Sequence, residues 1–233
     1  METSFLGIRL LTFLLASGFW FLAFGLLLQM DRNERMIRDQ IIARGVSDPA
    51  VLEAFRQTPR ELFVPPEHAA EAYDDGPLPI GGGQTISQPF IVAYMTDKLN
   101  LRREDRVLEL GTGSVYQTAI LSRIARHVYT AEIVPHLAAR ARRTIERLGL
   151  QNVTFREGDA LEVFRDEAPF DAILAAAAPS TVPEAVFEQL ADGGRALLPV
   201  GDLNQSLIRI VRVGERFKKE ELIGVRFVPL TRG

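Results

Sequence analysis

The chain has 233 residues, no cysteine, three histidines and a formal net charge of -3, which suits one globular domain with an appendage. Disulfides, thiolate catalysis and cysteine-ligated metals are thereby excluded, and His68, His127 and His136 lie without metal-ligand spacing, so no metal is expected. The slight acidic excess gives no electrostatic reason to bind nucleic acid.

Leu10 to Leu28 contains no charged residue and is close to the ~20 residues needed to span a hydrocarbon core. It reads as a transmembrane anchor. A cleaved signal, which would leave the domain cytoplasmic or exported, fits less well. Ala16-Ser17-Gly18 is a poor cleavage site, and the apolar run continues through Phe19, Trp20, Phe21 and Leu22. Arg9 alone precedes the run, whereas Arg32, Arg35 and Arg38 follow it, so the folded part is expected to face the cytoplasm.

Asn33 to Arg44 places Met36, Ile37, Ile41 and Ile42 at helical spacing and closes on Gly45. Asp48-Pro49 supplies an N-cap and first-turn proline for a second helix with Val51, Leu52 and Phe55 on its buried stripe. Pro59 to Pro66 is too rich in proline for regular structure, and a short helical piece follows near Ala69 to Tyr73. Pro77 to Pro89 reads as a long loop of glycine, proline and hydroxyl residues, of the kind that covers a site. Phe90 to Leu99 resumes a helical pattern.

Val107 to Leu110 is a short apolar strand that runs through Glu109 into the turn Gly111-Thr112-Gly113-Ser114, and a helix pattern follows through Ala119, Ile120, Leu121 and Ile124. Such a junction is expected to leave N–H groups at the helix start for a ligand lying against the glycines. Strand and helix then alternate: His127 to Ala131, Pro135 to Leu148, Val153 to Arg156, Phe170 to Ala175, Pro183 to Leu190 and Arg195 to Pro199. Ser206 to Val213 and Leu222 to Val228 are read as two strands adding an antiparallel edge. The expected fold is α/β, a doubly wound, mainly parallel, seven-stranded Rossmann-like sheet with an N-terminal helical extension and one transmembrane helix.

Ligands of open parallel sheets sit at the carboxyl ends of the strands. Glu109 with its glycine turn, Glu132 and Asp159 occupy three successive strand ends, and Glu132 has the spacing of a carboxylate that grips ribose hydroxyls. An adenosine ligand is expected. Tyr116 stands where a dinucleotide fingerprint wants glycine and there is no phosphate-loop lysine. An acid before the glycine turn suits a ligand with positive charge, such as S-adenosylmethionine.

The chain resembles the protein-L-isoaspartate O-methyltransferase family over nearly everything after the anchor. The matching stretches include Gln40-Ile41 through Asp48-Pro49, Pro59 to Pro65, Ala72-Tyr73, Glu109 to Gln117, Tyr129 to Pro135, Pro169 to Ile173, Leu198 to Gly201 and Val228-Pro229-Leu230. Gln84-Thr85-Ile86-Ser87-Gln88-Pro89 is the specific one. The resemblance implies methyl transfer from S-adenosylmethionine to the free carboxylate of isoaspartyl residues in damaged proteins or peptides. Ser87 would be the active-site hydroxyl, although a turn serine capping the next helix is also open. Thr85, Ile86, Glu109, Gly111, Thr112, Gly113, Ser114, Glu132, Ile133, Asp159 and Ala160 would bind cofactor. Three regions follow: 1–30 as membrane anchor, 31–100 as N-terminal helical and substrate-loop region, and 101–233 as cofactor-binding methyltransferase domain.

The chain departs from the family pattern in three places. Val115 replaces a glycine, and its branched side chain is expected to crowd the cofactor or resist the needed backbone angle. Gly82 stands where histidine is usual. Leu161 to Phe164 replaces a glycine and tryptophan, which implies a remodelled adenine pocket.

Overall fold

A computed structural model describes residues 32–231. The expected span from Leu10 to Leu28 lies outside them, and no helix among the described residues is long and apolar enough to cross a membrane.

The first helix, α1, is α-helical over 32–36 and continues as a π-helical segment, Ile37–Ile41, and a 3-10 turn, Ile42–Arg44. Asp48 caps α2 (Pro49–Arg56), its carboxylate accepting from the Ala50 and Val51 N–H groups. The proline-rich stretch is less irregular than expected, with 3-10 turns at Arg60–Leu62 and Pro66–Glu71. The anticipated loop from Pro77 is instead a hairpin, β1 (Leu78–Gly81) and β2 (Gln84–Ile86). Gly82 and Gly83 turn it with φ of +60° and +72°, the angles that a two-residue hairpin turn of the right twist demands. Helix α3 (Pro89–Leu99) follows with Gln88 at its N-cap position, so Ser87 is not a helix cap.

The main sheet has seven strands in the order β5-β4-β3-β6-β7-β8-β9, with β3 Arg106–Leu110, β4 His127–Glu132, β5 Val153–Glu157, β6 Phe170–Ala175, β7 Leu190–Val200, β8 Gln205–Val213 and β9 Arg216–Val225. The first five are parallel and the last two antiparallel. Helices α4 (Tyr116–Ile124), α5 (Pro135–Leu148), α6 (Ala160–Val163) and α7 (Glu184–Gln189) connect the strands. Strand alternation sends Leu108, Leu110, Ile173 and Leu198 to one apolar layer and Val107, Val128, Leu174 and Leu197 to the other, so both faces are covered. The last strand lies earlier than expected because its charged run, Arg216 to Glu221, belongs to the sheet edge, where charge protects open hydrogen-bonding groups.

A third apolar cluster joins α1, α2 and the hairpin to α4 and α5. Tyr116, the first residue of α4, packs its ring against Phe55 at 5.9 Å and Phe63 at 5.3 Å between centroids. The N-terminal layer is thus seated directly on the helix that leaves the glycine turn.

Candidate active site

Strand order reverses at β3, which has β4 on one side and β6 on the other, and the sheet opens a crevice at that switch point. A cavity lies there, bounded by the 111–114 turn, the end of β4, the start of α6, the hairpin strand β2 and the C-terminal segment 228–231. That last segment is held by a parallel bridge, with Ala178 N–H donating to Val228 O and Leu230 N–H to Ala178 O, both at 2.8 Å.

Thr85, Ile86, Ser87, Gly111, Thr112, Gly113, Ser114, Glu132, Ile133, Asp159 and Ala160 all line the cavity. Gln84, Gln117, Val134 and the 228–231 segment line it as well; the first three lie in the matching stretches but were not singled out as binding residues. The segment was visible only as a short stretch of resemblance.

Glu109 does not line the cavity. It is fully buried, because alternation along β3 turns it towards α4, where Thr118 and Thr130 hydroxyls donate to its Oε2 at 2.5 and 2.7 Å. Thr130 Oγ1 also meets Thr112 Oγ1 at 2.7 Å, which connects the acid to the cavity wall through two hydroxyls. Its Oε1 has no partner. Burial pushes the Glu109 carboxyl up to about 7 against the lowering effect of the two hydroxyl bonds, with the Glu132 charge adding to the rise.

This shift has a measurable sign. An unfolded glutamate ionises near pH 4.5, whereas folded Glu109 holds its proton until about 7, so the unfolded state binds fewer protons across that window and stability falls as pH rises. The expected loss is about 3 kcal/mol between pH 4.5 and 7. Urea unfolding of wild type and Glu109→Gln against pH checks it: the difference between the two curves should carry the slope, and parallel curves would refute it.

Most N–H groups of the turn itself are already engaged within the protein. Gly111 and Thr112 N–H donate to Ala131 O, Gly113 N–H to Glu132 Oε2 at 2.8 Å, Val115 N–H to Thr112 O, and Tyr116 N–H to Ser114 Oγ. Five amides are already satisfied. Glu132 is held at both ends, since its Oε1 accepts from Val134 N–H at 2.9 Å. A carboxylate offers about four acceptor positions, so two remain after these backbone bonds. They suit a pair of vicinal hydroxyls on a ribose.

Asp159 caps α6 by accepting from Leu161 N–H. With Glu132 it makes two carboxylates in a wall whose described residues include no Lys, Arg or His. Such a donor set fits an adenosine ligand bearing a positive charge and fits a pyrophosphate poorly.

Val115 takes φ 73° and ψ 0°, a left-handed conformation that costs a β-branched residue energy. The needed backbone angle is therefore adopted. Its side chain is fully buried in the cluster shared with α1 and α2 and does not line the cavity, so the expected crowding does not occur. Packing on the N-terminal layer holds the angle that glycine would take freely. At Gly82 a Cβ would come within 2.7 Å of His136 Cε1; the ring of His136, on α5, already fills that space. Gly158 (φ +124°) is likewise confined, a Cβ there meeting Val163 at 2.9 Å.

Ser87 sits at a junction. It lines the inner cavity and also a wider, more open cleft between the hairpin and the 203–206 and 224–228 segments; Thr85, Ala176 and Val228 are shared in the same way. Its carbonyl accepts from Arg60 Nη2 at 3.0 Å. The arrangement offers an inner pocket for one reactant and an outer groove for a second, meeting at a hydroxyl.

Comparison with known proteins gives a consistent picture. A family model described as protein-L-isoaspartate(D-aspartate) O-methyltransferase matches residues 31–233. A Pelobacter propionicus protein named protein-L-isoaspartate O-methyltransferase 2 is 52% identical over 202 residues, covering 85% of this chain and 90% of the relative. The Myxococcus xanthus protein-L-isoaspartate O-methyltransferase is 52% identical over 198 residues, 83% and 93% of the two chains. Among solved structures, a protein-L-isoaspartate O-methyltransferase superposes with a TM-score of 0.75 at 29% identity, over 84% of this chain and 65% of its own length. A Plasmodium falciparum structure described as a protein-L-isoaspartate O-methyltransferase in complex with S-adenosyl-L-homocysteine also gives 0.75, at 25% identity over 88% of this chain and 99% of that one.

Proposed function

The chain belongs to the protein-L-isoaspartate O-methyltransferase family, and from that membership we propose how its residues divide the work. It is an S-adenosylmethionine-dependent methyltransferase that esterifies the free carboxylate of L-isoaspartyl residues in damaged proteins, the first step of their repair. The observation that carries the assignment of parts is the meeting of an inner, acid-lined cavity with an outer cleft at Ser87.

Bound in the inner cavity, S-adenosylmethionine supplies an electrophilic methyl group on a sulfonium. Glu132 would hold the ribose hydroxyls, Asp159, Ala160 and Ile133 would flank the adenine, and the 111–114 turn with Thr85 and Ile86 would enclose the methionine end. Glu109 acts at one remove, orienting Thr112 through Thr130. The acceptor is a free α-carboxylate, whose reference pKa of about 3.3–3.7 makes it already an anion at neutral pH, so the site needs no general base. Ser87 would orient it by donating a hydrogen bond. The hairpin and the 228–231 segment exclude water, which matters because attack of an anion on a cation annihilates charge and solvation of either partner slows it. On this reading residues 31–100 supply the substrate loop with Ser87, and 101–233 supply most of the cofactor pocket together with the facing wall of the cleft. The apolar run from Leu10 to Leu28 would tether the enzyme to a membrane with its domain in the cytoplasm, where the methyl donor is made; protease accessibility in intact cells tests that, and an external domain would refute it.

Calorimetry with S-adenosylmethionine, followed by methyl transfer to an isoaspartyl peptide and its aspartyl counterpart, tests the function. Transfer to the isoaspartyl peptide alone is expected; cofactor binding without transfer would point to another acceptor. Val115→Gly is expected to leave the cofactor Kd within about threefold of wild type, because the side chain faces away from the cavity. Relief of about 1–3 kcal/mol of backbone strain offsets most of the about 1.5–3 kcal/mol lost with a buried valine. Denaturant unfolding should therefore show a loss of no more than about 1–2 kcal/mol.

A further inference from the structure

The open cleft carries one feature that the methyl-transfer chemistry does not use. Among the described residues that line it, Arg226 is the only charged side chain. The residue is exposed and makes no hydrogen bond or ion pair with any described residue. Among the described residues, no acidic side chain lines the cleft to offset it. Arg226 is nevertheless firmly placed: Gln205 clamps the next residue, its Nε2 donating to Phe227 O at 3.1 Å and its Oε1 accepting from Phe227 N–H at 2.6 Å. On the neighbouring 203–206 segment of the same wall, Leu203 is almost completely exposed, at 99%.

We propose that Arg226 selects acceptor peptides bearing a carboxylate side chain close to the isoaspartyl residue, making this enzyme prefer damage sites in acidic sequence context. The proposal rests on the function given above. Two residues of extended chain span about 7 Å, and Val228, two residues on, lines both the cavity and the cleft. The Arg226 backbone therefore lies within about 7 Å of a residue that joins the cleft to the cavity, and in the proposed binding mode a side chain two or three positions along the peptide would meet it. It does not line the inner cavity, so it is not placed to neutralise the reacting carboxylate, which would blunt that group as a nucleophile. A planar guanidinium recognises a carboxylate with a pair of parallel hydrogen bonds, and Leu203 offers an apolar contact to the same peptide.

Isoaspartyl peptides identical except for Glu, Gln or Lys two residues from the acceptor test this on the full chain. For an exposed pair the expected KM for the Glu peptide is about three- to fivefold below that for Gln, with Lys higher and kcat unchanged. Raising salt to about 0.5 M should shrink the contrast. R226Q should abolish the preference and R226E should turn it towards Lys. A wild-type enzyme indifferent to the flanking charge, or a preference that survives R226Q, overturns the proposal. So does an equal loss with all three peptides in R226Q, which would mean that Arg226 holds the accepting carboxylate itself. Peptide binding by fluorescence anisotropy reads the same charge preference without turnover, so failure of the isoaspartyl assignment is distinguishable from failure of this one.

Discussion

Arg60→Ala is expected to lower stability by about 3–5 kcal/mol, with a fall in Tm of about 6–20 °C for a chain of this size. Arg60 is fully buried, and no described residue forms an ion pair with it. Three carbonyls take the place of a counter-ion: Nη1 donates to Ala72 O at 2.7 Å, and Nη2 to Gly76 O at 2.9 Å and Ser87 O at 3.0 Å. Burial holds its pKa below the usual arginine range, partly offset by the nearby Asp74 and Asp75 charges. Truncation orphans those carbonyls and leaves a cavity under the hairpin. Because one of them belongs to Ser87, activity should fall more steeply with temperature than the fold itself does. Arg60→Met fills much of the space but makes no hydrogen bond, so calorimetric unfolding of the two variants separates packing from polar loss. Equal stability of Arg60→Ala and wild type would show that the three carbonyls find other partners.

The second large effect concerns Glu132, and its sharpest form is a conservative change. Both carboxylate oxygens already accept a backbone N–H, from Gly113 and Val134. A glutamine must point its NH2 group at one of those donors, so Glu132→Gln is expected to be nearly as damaging as Glu132→Ala. Each charge-assisted bond contributes about 1.5–3 kcal/mol; loss of the two that would hold the ribose raises the cofactor Kd by at least about 100-fold. Isothermal titration with S-adenosylmethionine or S-adenosylhomocysteine measures it. Retention of near wild-type affinity in Glu132→Gln would remove Glu132 from the binding set.

Much of the site was legible because its parts are local in the chain. Glu132 and Asp159 end their strands, and short apolar runs bounded by turn residues identify strands without reference to neighbours. The same locality misled at Glu109. Its position beside the glycine turn suggested a ligand contact, but a strand residue points to one face or the other, and which face is covered by α4 depends on the assembled sheet. The Pro77 to Pro89 stretch reads as a loop because a hairpin of four and three residues is too short to show alternation. The edge strand at Arg216 to Val225 was misplaced for the opposite reason: one exposed edge needs charge rather than apolar residues.

By itself the sequence determined the fold class, the alternation of strands and helices after Arg106 and the three carboxylates at or near successive strand ends, since each follows from periodicity and turn chemistry within a few residues. Tertiary structure alone decided what those residues do. Val115 holds a left-handed angle because α1 and α2 bury its side chain. Gly82 lacks a side chain because His136, more than fifty residues on, fills its place. Arg60 supports Ser87 across 27 residues of chain. Such pairings depend on which distant surfaces meet, and burial and hydrogen-bond satisfaction act on those contacts with no regard for separation along the chain.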